Sequence, residues 1–111
     1  MQLARSIVNT LEDKKGEDII LLDIRGLAVF ADYFVICSGT SDRMLQALAE
    51  AVQEHVHQEY GLSLHTEGKG QDGWLLVDAG DVIVHLFSPD RRNYYRLEEL
   101  WSHGKVLLRL Q

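Results

Sequence analysis

Residues 33–61 read YFVICSGTSDRMLQALAEAVQEHVHQEYG, and this stretch decides the fold. Its first six residues, 33–38, are apolar on both faces, which is typical of a central strand that is covered on both sides. Gly39 follows, and the next three residues (TSD) favour the start of a helix. An apolar stripe at helical spacing then continues to Gly61. The stretch therefore predicts a buried strand that leads through a tight turn into the longest helix of the chain.

Shorter elements flank this unit on both sides. Residues 3–15 carry apolar side chains at helical spacing and end in two lysines before a glycine, which predicts a short amphipathic helix. Residues 18–24 predict a strand. Downstream, residues 62–67 predict another short strand, and the glycine-rich segment 68–73 predicts the most flexible loop of the chain.

The second half of the chain predicts a hairpin followed by a helix. The segments Trp74–Asp78 and Val82–Phe87 are separated by only three residues, too few for a parallel crossover, so we expect them to pair antiparallel. Residues 88–90 (SPD) supply a capping serine, a proline at the first helical position and an acid in the first turn. They predict a helix that runs to about Trp101. Residues 105–110 are apolar and leave two interpretations open, a further strand or a truncated tail.

Composition agrees with one soluble globular domain spanning residues 1–111. Of these residues, 46% are hydrophobic and 25% are charged, and the length supports one hydrophobic core. The order of the predicted elements indicates an α/β or α+β fold, with a five-stranded mixed sheet flanked by helices. The single cysteine, Cys37, excludes an internal disulfide and points to a reducing compartment. Since the start resembles no signal peptide and no segment is long and apolar enough to span a membrane, we expect a cytoplasmic protein.

The charge balance bears on the kind of partner. Lys and Arg number 11 against 17 Asp and Glu, for a net charge of −6, which argues against binding nucleic acid by phosphate neutralisation. An acidic surface instead attracts basic proteins. Mild acidity also keeps a protein soluble, so the charge alone does not separate these two interpretations.

Three groups of residues suggest chemistry, and each has a simpler structural explanation. The strand, turn and helix start at 37–43 have the shape of a phosphate cradle but lack the spacing and lysine of a P-loop, so we interpret them as a capped helix. Asp78, Asp81 and His85 could act as metal ligands or as an acid/base group, but strand alternation does not place them on a common face. Cys37 lies near a helix start that could activate a thiol, yet its strand predicts a buried, inert cysteine. We predict no catalytic, metal or cofactor site.

The remaining group is aromatic and lies late in the chain. Trp74 begins a strand, and Tyr94, Tyr95 and Trp101 lie on the last predicted helix among arginine and glutamate residues. Adjacent tyrosines on a helix point about 100° apart, so we expect one of them to be exposed. Aromatic residues with nearby arginines are the usual anchors of protein interfaces, although core packing explains either tryptophan equally well. This pattern favours a binding module over an enzyme.

Across almost its whole length the sequence resembles the ribosomal silencing factor family, also called the Iojap-like family. Short motifs carry the resemblance, and together in this order they are specific: DIILLDIR (18–25), ADYFVI (31–36), SGTSDR (38–43), EG (67–68), WLLVD (74–78), GDVIVH (80–85), RNYYRLE (92–98) and LW (100–101).

The resemblance implies a nucleotidyltransferase-like fold without known catalysis. It implies a translational repressor that docks on the fourteenth ribosomal protein of the large subunit and sterically blocks joining of the small subunit in starved cells. It also implies that a homodimer can form. The alternative is a small nucleotidyltransferase-like enzyme that binds a nucleotide at residues 38–43. The paired carboxylates that would hold a metal-bound nucleotide are missing at the expected spacing after the Gly39 turn, which favours the repressor.

With this resemblance we expect a protein-binding surface in which tryptophan and tyrosine act as anchors and acids face basic groups of the partner. Arg25, Asp42 and Arg43 are expected to hold loops and caps instead. The expected surface consists of Trp74, Leu76, Asp78, Asp81, Tyr94, Tyr95 and Glu98.

Overall fold

The computed structural model describes residues 1–91 and 104–110. These residues form two α-helices packed on one face of a mixed β-sheet, which confirms the predicted class of helices flanking a mixed sheet. In chain order the elements are α1 (Gln2–Asp13), β1 (Glu17–Asp23), β2 (Tyr33–Ser38), α2 (Asp42–Tyr60), β3 (His65–Lys69), a short 3-10 helix (Gly70–Asp72), β4 (Trp74–Asp78), β5 (Val82–Phe87) and β6 (Lys105–Leu110).

The sheet has six strands in the order β3-β4-β5-β2-β1-β6, so the expectation of five strands is wrong. The extra strand is β6, which pairs antiparallel with β1 and places Leu108 opposite Leu21. This pairing decides between the two interpretations left open for residues 105–110. Among the described strand pairs, only β2 and β5 run parallel.

The strand, turn and helix unit at residues 33–61 forms as predicted. All six side chains of β2 are buried, as expected for a central strand. Ser41 caps α2, because its hydroxyl accepts a hydrogen bond from the Met44 amide at 3.1 Å. Gly61 ends the helix in the left-handed conformation, with φ +67°, and donates its amide to the His57 carbonyl.

The predicted strand and flexible loop at residues 62–73 need correction. The strand β3 begins at His65, three residues later than predicted, and includes Gly68 and Lys69. The glycines serve close packing here: a Cβ on Gly68 would lie 2.5 Å from the Trp74 carbonyl oxygen, and one on Gly70 would lie 2.4 Å from that of Asp42. The lack of a side chain at these glycines therefore lets the backbone lie against β4 and the start of α2. The sequence analysis had interpreted the same glycines as the sign of a flexible loop.

The hairpin of β4 and β5 is antiparallel, as predicted, with Trp74 opposite Phe87 and Asp78 opposite Ile83. The predicted helix start after β5 is also confirmed. Helical backbone begins at Pro89, and the Ser88 hydroxyl accepts a hydrogen bond from the Arg91 amide at 3.3 Å. The rest of that predicted helix, to Trp101, lies outside the described residues.

Candidate protein-binding surface

The surface around Trp74 begins with the alternation of β4. Leu75 and Val77 are buried on the face that packs against the helices. The other face carries Trp74, Leu76 and Asp78, of which Trp74 is 38% exposed, Leu76 is half-buried and Asp78 is exposed. One strand thus contributes both to the core and to an accessible surface.

The register of the hairpin decides what lies beside these residues. Trp74 pairs with Phe87, Leu76 with His85, and Asp78 with Ile83. Paired residues in an antiparallel sheet point to the same side, so the two faces that the sequence could not relate coincide. Phe34 and Ile36 of β2 extend the same face through their pairing with Ile83 and His85.

Aromatic rings hold the Trp74 side chain in place from one side. Its indole lies nearly parallel to the Phe87 ring, with centroids 5.8 Å apart and an angle of 10°. It is also nearly parallel to the His85 ring, at 6.3 Å and 15°. Phe34 completes the group, with its ring 4.7 Å from His85 in an edge-to-face arrangement. Trp74 is therefore a partly exposed aromatic side chain whose orientation is already supported by buried rings.

His85 is a packing residue in this arrangement. It is 6% exposed, and in the described part of the chain neither of its ring nitrogens has a hydrogen-bond partner. Burial lowers the pKa of His85 to about 4, because desolvation penalises the charged imidazolium. The ring is consequently neutral near pH 7 and forms part of the aromatic stack.

The two predicted acids of the hairpin turn have distinct structural contacts. The Asp78 carboxylate accepts a hydrogen bond from the Gly80 amide at 2.8 Å, which supports a turn in which Gly80 has φ +82°. The backbone carbonyl of Asp81 accepts from the amides of Asp32 and Tyr33. Both acidic side chains remain exposed, so they can face a partner while the backbone of the turn is held.

A small recess adjoins Trp74 on the side of β3. Its volume is about 180 Å³, and it is lined by Glu67, Gly68, Trp74 and Leu76. The recess combines an apolar floor with an exposed carboxylate at its border. The sequence prediction had missed Glu67, because the register of β3 with β4, which pairs Glu67 with Leu76, brings it to this face.

Three of the expected surface residues, Tyr94, Tyr95 and Glu98, lie outside the described residues. The structure therefore brings together Trp74 and Leu76 on one face of β4 and places Asp78 and Asp81 at the adjoining end of the hairpin. Phe87, His85 and Phe34, which support Trp74, were not among the predicted site residues. Only the register of the sheet identifies them.

The other candidate regions have structural contacts of their own. At the start of α2, the Met44 amide is bonded to Ser41, and the Gly39 amide is bonded to the Phe87 carbonyl. Arg25 forms a two-point ion pair with Asp23, at 2.7 Å and 3.0 Å, which lowers the pKa of that carboxyl through hydrogen bonding. Cys37 is fully buried, as predicted.

Within residues 1–91 and 104–110, no cluster of three or more histidine, cysteine or acidic side chains is placed to hold a metal ion. No helix in the same part of the chain is both long and apolar enough to cross a bilayer.

Comparison with known proteins places this architecture in a family. A family model described as ribosomal silencing factor during starvation matches residues 1–109. The chain is 43% identical over 107 residues to the ribosomal silencing factor RsfS of Halalkalibacterium halodurans, covering 96% of this chain and 91% of that protein. It is 46% identical over 96 residues to the RsfS of Bacillus subtilis, covering 86% of this chain and 80% of that protein.

More distant and structural relatives agree. A mouse protein named for mitochondrial assembly of the large ribosomal subunit is 35% identical over 99 residues, which cover 86% of this chain and 43% of that protein. A crystal structure from Chromobacterium violaceum superposes with a TM-score of 0.85 at 39% identity, covering 91% of this chain and 84% of that one. The fold, the motifs and these similarities together show that the chain belongs to the ribosomal silencing factor family.

Proposed function

We propose that this chain binds the large ribosomal subunit through the fourteenth ribosomal protein of that subunit and sterically blocks joining of the small subunit. Translation would fall as a result under nutrient limitation. Membership of a family described as ribosomal silencing factors during starvation supports a ribosome-associated regulator of translation. The name of the mouse relative, which refers to assembly of the large ribosomal subunit, supports the choice of the large subunit.

The observation that carries the proposal is the supported, partly exposed Trp74. Its indole is 38% exposed and packs against His85 and Phe87. Tryptophan is among the residues most often found to dominate binding energy at protein interfaces. Because buried rings already orient the side chain, little conformational freedom remains to be lost when a partner covers it.

The acids of this surface outnumber Lys69, the exposed lysine opposite Trp74, which suits a basic partner. Glu67, Asp78 and Asp81 are exposed near the same face or hairpin end, and the whole chain carries a net charge of −6. Ribosomal proteins that bind RNA are commonly basic, and complementary charge accelerates and orients docking. Steric blocking needs no chemical reaction, only an interface large enough to keep the small subunit away. A single domain can cover about 800 Å² of its partner, which is sufficient for a specific interface.

The proposal extends to residues and states that the structure does not describe. We assign Tyr94, Tyr95 and Glu98 to the same interface, with the tyrosines as anchors and the glutamate opposite basic groups. Action on ribosomes would place the protein in the cytoplasm. Off the ribosome, a homodimer would cover the same surface, and the two states would then compete.

Co-sedimentation with isolated bacterial large subunits tests the proposal, with and without added small subunits. The parent should pellet with large subunits and reduce the formation of joined ribosomes. Trp74→Ala should weaken binding by about 30-fold, the equivalent of a 2 kcal/mol hot spot. Tyr60→Ala is a matched control, because Tyr60 is 37% exposed at the end of α2 and should leave binding unchanged.

Single variants Tyr94→Ala, Tyr95→Ala, Asp78→Lys and Glu98→Lys extend the test to the whole surface. A melting temperature for each variant separates an interface anchor from a core residue, since truncating a buried aromatic costs roughly 3 to 5 kcal/mol of stability. If Trp74→Ala and all four of these variants remain folded and pellet as the parent does, the surface is wrongly assigned.

The alternative enzyme is tested separately. Nucleoside triphosphates with magnesium are titrated into the protein while tryptophan fluorescence is followed. Since residues 37–43 lack the spacing and lysine of a P-loop, we expect no binding in the micromolar range. Saturable binding below tens of micromolar would favour the enzyme.

A further inference from the structure

The connection between β1 and β2, residues 24–32, is closed at its base by backbone hydrogen bonds. The Ile24 amide donates to the Asp32 carbonyl at 2.9 Å, and the amides of Leu27 and Ala28 both donate to the Ile24 carbonyl. Ile24 and Ala31 are buried in the apolar cluster on the Trp74 face of the sheet. The base of the loop is thus tied to the core.

The tip of this loop exposes apolar side chains. Val29 is fully exposed, Phe30 is 59% exposed and Leu27 is 45% exposed. A single exposed apolar residue is ordinary, but three within four residues on a hydrogen-bonded loop form a patch, and such patches mark interaction sites. None of these residues belongs to the surface predicted from the sequence.

Acidic groups adjoin the tip. The Asp32 amide donates to the Asp81 carbonyl at 2.8 Å, which joins the loop to the β4–β5 turn. Asp32, Asp78 and Asp81 are exposed, and among the described residues none of them forms an ion pair. Arg25, the cation of this loop, is engaged by Asp23. The apolar tip therefore lies at an end of the sheet that exposes three carboxylates, with Arg25 and Lys105 nearby.

We infer that the tip, Leu27 to Phe30, is a second contact with the same basic protein partner, inserting into an apolar recess bordered by lysine or arginine. This inference rests on the proposed function and extends its interface from the Trp74 face to this end of the sheet. Ring contacts make that surface continuous, because Phe30 contacts Phe34, Phe34 contacts His85, and His85 contacts Trp74.

The same charges disfavour two other occupants. A second copy of the chain docking tip to tip would bring the Asp32 carboxylates of the two copies together, which opposes association through the tip, whereas the homodimer proposed above forms through the Trp74 face. Nucleic acid would bring phosphates toward the carboxylates of Asp32, Asp78 and Asp81, which opposes its binding. A basic protein with an apolar recess can bury the tip and place its lysine or arginine side chains opposite the surrounding acids.

The test measures binding to isolated large subunits for Leu27→Ser/Val29→Ser and for Leu62→Ser. Leu62 is the matched control, since it is 43% exposed in the connection after α2. All the changed side chains are substantially exposed, so melting temperatures should stay near the parent's. We expect the double variant to bind about tenfold more weakly and the control to bind as the parent does. Asp32→Asn/Asp81→Asn should weaken binding at low salt and reduce its salt dependence.

Trp74→Ala, measured in parallel, separates this inference from the proposed function. Parent-like binding by Leu27→Ser/Val29→Ser alongside a loss in Trp74→Ala overturns only the second contact. Parent-like binding by every variant, Trp74→Ala included, overturns both. An equal loss in the Leu62→Ser control shows non-specific adhesion of apolar residues and also overturns the second contact. A change confined to self-association, seen by sedimentation of the protein alone, assigns the tip to a second copy and contradicts the inference.

Discussion

Both faces of the sheet are largely aliphatic, but only one of them also carries a group of stacked aromatic rings. On the face beneath α1 and α2, Leu48 and Val52 of α2 belong to one buried cluster with Val35 and Val84 of the sheet. The opposite face carries the aromatic group of Phe34, His85, Phe87 and Trp74. The first face is covered by helices of the same chain, whereas the second reaches the surface at Trp74.

The helix-covered face therefore contributes mainly to folding stability, whereas the aromatic group on the other face can also contact a partner. Branched aliphatic side chains interdigitate closely and bury their whole area, so they contribute chiefly to folding free energy. Stacked rings leave one edge available while fixing its direction, so a ring at the margin can contact a partner at small entropic cost. Changes on the two faces should consequently affect different measurements.

The largest expected effect is on the helix-covered face. Leu48 is 1% exposed in α2, so Leu48→Ala should lower the free energy of unfolding by about 3 to 4 kcal/mol through lost burial and the cavity left behind. Chemical denaturation measures this change. Ala47, exposed one position earlier, provides the control Ala47→Ser, which should cost under about 1 kcal/mol. Equal stability of the two variants would contradict the assignment of this face as the main core.

Acid sensitivity should come from the aromatic face. The pKa of His85 is lowered to about 4 in the folded protein from its ordinary value of 6.5, so the unfolded chain takes up the proton first as pH falls. The His85 imidazole therefore has no effect on the free energy of unfolding above pH 6.5. As the pH falls from 6.5 to 4, it should lower that free energy by about 3 kcal/mol.

Denaturation across that pH range checks this expectation. His85→Phe keeps a ring of similar size in the stack and should flatten the part of the pH dependence that the imidazole causes. An unchanged pH dependence in His85→Phe would show that another group is responsible.

Trp74 should respond differently in binding and in folding. Trp74→Phe keeps an aromatic ring over Phe87 but presents less surface, so we expect binding to large subunits to weaken by about 1 to 2 kcal/mol. Its melting temperature should fall only slightly, because the side chain is 38% exposed. A large loss of stability with unchanged binding would make Trp74 a core residue and remove the contrast between the two faces.

The smallest effect is expected at the start of α2. Ser41→Ala removes the hydroxyl that accepts from the Met44 amide, which should cost about 1 kcal/mol of stability. Ser41→Asp preserves an accepting group and should restore most of that loss. Thermal unfolding of both variants makes the comparison. Binding to large subunits should be unaltered in each, and a binding loss beyond the stability change would place this region in the interface.

The accuracy of the sequence predictions followed the range of the interactions involved. The buried strand 33–38, the helix start at residues 40–42 and the Ser88 helix start were all predicted from residue types within a few positions. The predicted bounds of β3 were wrong, because the glycines of this segment were interpreted as loop residues. In the structure they make room for the backbone of β4 and of α2. The sixth strand was left open, since its partner β1 lies at the other end of the sequence.

For the surface, the sequence by itself determined which residue types were available: a tryptophan at the start of a strand, two acids in a hairpin turn and a net negative charge. Tertiary structure decided their arrangement. The register of β4 with β5 placed Trp74 beside Phe87 and His85, and backbone hydrogen bonds joined the loop at Asp32 to the turn at Asp81. The physical reason is that local propensity depends on neighbours along the chain, whereas register and exposure depend on how distant segments share one core.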